Sequence, residues 1–151
     1  MSFGPAPGGY LLFGAEFEAK SPEQVRRMTA ALRDSAGADC VLMSHNTVVC
    51  LDPEIPASLS EEAHRLLREE LGFDGVIMTD DMAMEAVSGV SAPGELSVQA
   101  LQAGSDLVCT PYWEESLKAV GTALREGRLP PERIRESGGR VLCWKQSLGL
   151  L

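Results

Sequence analysis

Two carboxylates stand side by side where an apolar run stops: Val76-Ile77-Met78-Thr79 leads directly into Asp80 and Asp81. In parallel α/β folds the reactive groups gather at the carboxyl ends of the strands. Two further apolar runs end in polar residues, one in Ser44-His45-Asn46 and one in Thr110. Alternation along a strand puts Val76, Met78 and Asp80 on one side and Ile77 and Thr79 on the other. Asp80 then closes a core-facing row at a catalytic rim, and Asp81 opens the following loop. Each residue also has a plainer reading. An acid after a strand often caps the next turn, and Asp81 suits a cap or a partner to Asp80. His45 can meet a substrate or serve a structural hydrogen bond. His64 falls on a charged helix face, and Met82 and Met84 suit packing.

Other chemistries find no support in the spacing. The two histidines are far apart and neither has a metal-binding spacing. Neither "GAEFEAKS" nor "GPAPGGY" forms a phosphate loop. No G-x-S-x-G elbow is present for a Ser-His-Asp hydrolase. Cys40, Cys50, Cys109 and Cys143 match no metal knuckle and no C-x-x-C redox site. Cys40 and Cys109 lie in apolar runs and are expected to be small buried side chains. The net charge of −9 repels phosphate backbones and anionic lipid, so neither nucleic acid nor membrane is an expected partner. The N-terminus lacks the basic region of a signal peptide. The expectation is a reduced, cytoplasmic-type protein with no cofactor and no metal.

The elements that must position these residues alternate. The first eight residues, rich in Gly and Pro, are expected to be loose. "GYLLFG", "ADCVLMSH", "GVIMTD" and "DLVCT" read as four short strands. "SPEQVRRMTAALRDSAG" reads as a helix with Ser21 and Gln24 at capping-box spacing. "LSEEAHRLLREELG" puts Ala63, Leu66, Leu67 and Leu71 on one face. Ser58 and Glu61 again have capping-box spacing, Gly72 is placed to stop the helix, and the "SEEAHRLLREE" face reads as a solvated surface. "GELSVQALQAG", "WEESLKAVGTALREG" and "PPERIRESGGRVLCWKQSLG" complete the helices. Strands alternating with amphipathic helices imply a parallel sheet covered by helices. The 151 residues suit one domain able to bury a core.

The stretch "LREELGFDGVIMTDDMAMEAV" closely resembles the nucleophile segment of glycoside hydrolase family 3, nearest to its bacterial β-N-acetylhexosaminidase branch. "VLMSHNTVVCLDPEIPASLS", "ALQAGSDLVCT" and "RIRESGGRVLCWKQSLGL" resemble flanking segments of that family in the same order. "GYLLFGAEFEAKSPEQVRRMTAALR" resembles an early strand and helix of its barrel. The resemblance implies a (β/α)8 barrel and retaining hydrolysis of a β-linked sugar. In that reaction a carboxylate attacks the anomeric carbon and water releases the glycosyl-enzyme. Carried onto this chain, it makes Asp80 the nucleophile. His45, Asp81 and Met84 become candidate substrate contacts, and the substrate an N-acetylglucosaminide-like carbohydrate.

The chain departs from the family between "ALRDSAG" and "ADCVLMSH". Several strands are missing there, with the sugar-binding stretches and the histidine–aspartate acid/base loop. The expected fold is therefore α/β, an incomplete (β/α)8 barrel of about four parallel strands with flanking helices. Hydrolysis is expected to be very weak or absent, since retaining chemistry needs a proton donor roughly 5 Å from the nucleophile. The alternative is a catalytically inactive remnant that serves as a binding or interaction module. Four strands cannot close an eight-stranded barrel, so self-association into a homodimer is the expected repair of the open edges. A compact monomer with a flattened sheet is the competing arrangement.

Overall fold

The computed structural model describes residues 20, 21, 23–27, 30 and 38–151. The first eight residues and the strand expected over "GYLLFG" lie outside the described residues. Much of the helix expected after Ser21 lies outside them too. Its start is described: the Ser21 N–H donates to Gln24 Oε1 at 2.8 Å, and the Gln24 N–H donates to Ser21 Oγ at 3.3 Å. That reciprocal pair is the expected capping box.

Three strands form the described sheet: β1 (Cys40–Met43), β2 (Val76–Asp81) and β3 (Leu107–Cys109). All pair in parallel in the order β1-β2-β3. Between β1 and β2 runs α1 (Glu61–Arg65), continued by one π-helical turn over Leu66–Glu70. A short α2 (Glu85–Ser88) and a longer α3 (Pro93–Ala103) separate β2 from β3. Then α4 (Trp113–Arg125) and α5 (Pro131–Ser147) follow. The fold is α/β, with parallel strands joined through helices because a parallel strand must return along the far side of the sheet.

The helix α1 begins two residues later than its capping-box spacing suggested. Ser60, not Ser58, is the N-cap, and its Oγ accepts from the Ala63 N–H at 3.2 Å. Ser58 lies in a 3₁₀ turn over Ala57–Leu59 and is fully buried. Two serines two residues apart offered competing caps, and the tertiary structure uses Ser58 elsewhere. Gly72, at φ +61°, lets the chain leave this helix in a left-handed conformation that a side chain would disfavour.

The two faces of the sheet differ. Val41, Met43 and Ile77 join Val25, Ala63, Leu66, Leu67, Leu71 and Phe73 in one apolar cluster. Val108 packs into two further clusters, built on Leu96 and Ala100 and on Val98, Leu101, Ala123 and Leu129. The opposite face is less covered. Leu42 there is 41 % exposed, Cys109 is exposed, and Cys40, Met78, Asp80 and Leu107 are half-buried. The alternation Ile77/Thr79 against Met78/Asp80 is present. However, the row that ends in Asp80 is the less buried one, sealed only at its foot by Val76, where α5 packs against β2. Cys40 and Cys109 are accordingly not the buried small residues their apolar surroundings suggested.

Candidate functional site

The exits of β2 and β3 run side by side. Asp81 lies opposite Cys109 across a register shift, and the Met82 N–H donates to the Cys109 carbonyl at 2.9 Å. From below, the Cys109 N–H donates to Thr79 Oγ1 at 3.0 Å. These bonds fix the end of the central strand, where Asp80 projects from the open face.

The two acids do different work. Asp81 Oδ1 accepts from the Ala83 N–H at 2.9 Å, an Asx turn that folds the chain away from the strand. The Asp81 carbonyl accepts twice, from the Met84 N–H at 3.0 Å and from His45 Nε2 at 2.9 Å. Asp80 Oδ1 accepts from the Asp81 N–H at 2.9 Å. No other hydrogen bond or ion pair joins the Asp80 carboxylate to the described residues. It is half-exposed, so it stays available to a molecule arriving at the open face.

His45 is buried and both ring nitrogens are engaged. Nε2–H donates to the Asp81 carbonyl at 2.9 Å, and Nδ1 lies 2.7 Å from Ser58 Oγ. The imidazole thereby links the β1 exit to the β2 exit beside Asp80. Ser58, whose role the sequence did not reveal, is the hydrogen-bond partner of Nδ1. Ser44 and Asn46 bond to each other (Asn46 Nδ2 to Ser44 Oγ, 3.0 Å). Thr110 Oγ1 accepts from the Tyr112 N–H at 3.1 Å, so Thr110 shapes the β3 exit. Met84 is 44 % exposed at the start of α2. The structure thus gathers Asp80, Asp81, His45 and Met84 around one strand end.

His64 is not on a charged surface. It is buried, with Nδ1–H donating to the Ser60 carbonyl at 2.8 Å and Nε2 accepting from Ser105 Oγ at 2.8 Å. Burial pushes its pKa down, and Arg133 and Arg68 lower it further.

At the foot of the sheet, away from Asp80, lies a charged hub that sequence reading missed. The side chain of Asp106, just before β3, is fully buried. Its Oδ2 accepts from the Ile77 N–H at 3.0 Å and from Arg68. Its Oδ1 accepts from Ser137 Oγ at 2.9 Å, Arg140 at 3.2 Å and Arg133 at 3.3 Å. Burial alone would raise this carboxyl. The Ile77 N–H, Arg68, Ser137 and Arg133 together hold it below the ordinary aspartate range. Arg68 therefore belongs to the interior and not to the solvated face of α1. Nothing in its spacing distinguishes it from Arg65, which pairs with Glu62 at the surface.

Among the described residues no group of three or more His, Cys, Asp or Glu is placed to hold a metal ion. No described helix is long and apolar enough to cross a membrane.

Residues 24–143 match the model of the glycosyl hydrolase family 3 N terminal domain. The chain belongs to glycosyl hydrolase family 3. Within this family it is similar to a beta-hexosaminidase of Pseudomonas aeruginosa, 32 % identical over 128 residues that cover 82 % of this chain and 38 % of that protein. A beta-N-acetylglucosaminidase/beta-glucosidase of Cellulomonas fimi is 32 % identical over 98 residues, 64 % of this chain and 17 % of that protein. Among solved structures, a family 3 β-N-acetylglucosaminidase from Paenibacillus superposes with a TM-score of 0.78 at 36 % identity, covering 87 % of this chain and 27 % of that one. The chain thus spans less than two-fifths of the length of these family 3 relatives.

Proposed function

We propose that this family 3 chain carries the nucleophile-bearing part of a retaining glycosidase site, directed at β-linked N-acetylhexosaminides, with Asp80 as the nucleophile. One observation carries the reading: Asp80 is the last residue of the central strand on its open face, while the acid next to it is consumed by the turn. A parallel sheet with its exits on one rim suits part of a (β/α)8 barrel, whose chemistry sits at those exits. Asp80 would attack the anomeric carbon as the aglycone oxygen leaves, and water would then cleave the glycosyl ester. His45, Ser58 and the Asp81 carbonyl would hold the backbone on which Asp80 is mounted. His45 then acts on position and not on the sugar, because both its nitrogens are occupied. Asp81 likewise serves the turn, and Met84 remains the exposed contact of the three.

A specific observation also favours the binding-module reading. By the family resemblance, the histidine–aspartate acid/base loop has no counterpart in this sequence, and general acid–base help is typically about 10²–10⁴-fold. An aryl leaving group that departs as a stable anion removes the need for a proton donor in the first step, so it separates the two readings. With dinitrophenyl N-acetyl-β-glucosaminide, intact mass should show a glycosyl adduct located on Asp80 and absent from Asp80→Asn. The p-nitrophenyl or alkyl glycoside should turn over far more slowly. Absence of any adduct, with sugar binding retained, would establish the binding module instead.

A further inference from the structure

The loop that leaves β3 carries two consecutive exposed aromatic side chains. Tyr112 is 41 % and Trp113 60 % exposed, in a chain that has only two Tyr and two Trp. Large aromatics carry much apolar area and usually bury it. Here they stay outside although their backbone is held firmly. The Tyr112 N–H donates to Thr110 Oγ1, and the Tyr112 carbonyl accepts from the Ser116 N–H at 3.0 Å and from Ser116 Oγ at 2.8 Å. Ser116 is itself buried and bonded to Ser97 Oγ of α3 at 2.8 Å. The rings therefore project from a preorganised loop and not from a frayed one.

Their place in the fold is the rim that carries Asp80. Asp81 and Cys109 sit on adjacent strands about 4.8 Å apart, and three residues of chain reach at most about 10 Å. Tyr112 therefore lies within roughly 20 Å of Asp80, the span of a few linked pyranose rings. Met84 adds a third exposed apolar side chain on the neighbouring exit. A β-linked pyranose has an apolar face of axial C–H bonds, and these pack on the electron-rich face of an aromatic ring. Its hydroxyls point outward around the edge and remain in water.

We propose that Tyr112 and Trp113 form an aromatic platform for a pyranose unit flanking the one held at Asp80, so that the site takes an oligosaccharide in preference to a single sugar. The proposal rests on the carbohydrate reading above. A helix face prepared for another protein is the competing use, because Leu117, one turn along α4 from Trp113, is 66 % exposed.

Trp144 on α5 is the other tryptophan, so Trp144→Phe leaves Trp113 as the sole indole emitter. In that background with Asp80→Asn, to prevent turnover, β-1,4-linked N-acetylglucosamine oligomers of one to four units are titrated. Trp113 emission and calorimetric heat are followed together. The platform predicts a saturable emission change that strengthens from one unit to two or three. It predicts about five- to tenfold weaker binding of the longer oligomers in Trp113→Ala, and no change in Leu117→Ala. Calorimetric binding with silent Trp113 emission and unaltered affinity in Trp113→Ala overturns the platform and leaves the Asp80 site standing. An equal loss in Leu117→Ala points to a general helix face and also overturns it. No heat with any oligomer overturns the platform together with the carbohydrate reading.

Discussion

Replacing Asp106 by asparagine keeps the shape of the side chain and removes its charge from the centre of three guanidinium groups. The buried carboxylate serves Arg68, Arg133 and Arg140 and also caps the Ile77 N–H at the start of β2. Asparagine can still accept at Oδ1, but its amide group then meets the Ile77 N–H and Arg68, both donors. Breaking a buried ion pair from one side typically costs about 3–5 kcal/mol, and an unpaired buried N–H about 1–3 kcal/mol. The arginine side chains are 16–31 % exposed and can regain some water, which sets the expected loss at the low end, about 3 kcal/mol. For a chain of this length that lowers Tm by about 6–12 °C. Arg140→Gln removes one 3.2 Å bond from the most exposed of the three arginines and should cost less than about 1 kcal/mol. Urea unfolding followed by circular dichroism, with thermal melts beside it, gives both numbers. The Asp106 carboxyl titrates lower in the folded chain than in the unfolded one, so its stabilisation is complete above the unfolded value of about 3.9. It is lost as pH falls through the folded value. The gap between wild type and Asp106→Asn should therefore stay constant from pH 7 to about 5 and narrow in stronger acid. A loss below about 1 kcal/mol at neutral pH, or a gap that widens on acidification, would refute the hub as the clamp of the β2 foot.

Three other outcomes follow from the same structure. His45→Ala leaves the buried Ser58 hydroxyl without its partner and removes one of two donors to the Asp81 carbonyl. It should destabilise the chain by about 2–3 kcal/mol and slow any glycosyl adduct formation at Asp80 with little change in sugar affinity. Mass spectrometry and calorimetry read these two effects separately. His64 titrates lower folded than unfolded, so its contribution is complete above the unfolded value of about 6.5 and falls away as pH drops below it. Stability should decline from pH 7 to 5, and in His64→Gln, though lower overall, it should be flatter across that range by urea unfolding. Gly104, at φ +130°, would place a new Cβ 2.8 Å from His64 Cβ. Gly104→Ala should cost about 2 kcal/mol or more, seen as a lowered thermal midpoint.

The sequence by itself determined the alternation of strands and helices, because apolar periodicity and caps are local properties. The "GVIMTD" run, the Ser21–Gln24 box and the stop at Gly72 could all be read from neighbours within four residues. The family resemblance singled out Asp80 from its local context in the same way. What the sequence could not show was how residues far apart satisfy one another. Asp80 and Asp81 are chemically identical neighbours, and only the bonds from Ala83, Met84 and His45 show that Asp81 belongs to the turn. Ser58 looked like a helix cap until folding brought it, thirteen residues on in the chain, onto His45. His64 and Arg68 looked like surface residues because helical spacing reports faces but not what will cover them. Burial came from Gly104 and Ser105 for one and from Asp106 for the other. Buried polar groups must find partners wherever the fold supplies them. Those partners lie across the tertiary structure, so their pairing was decided there.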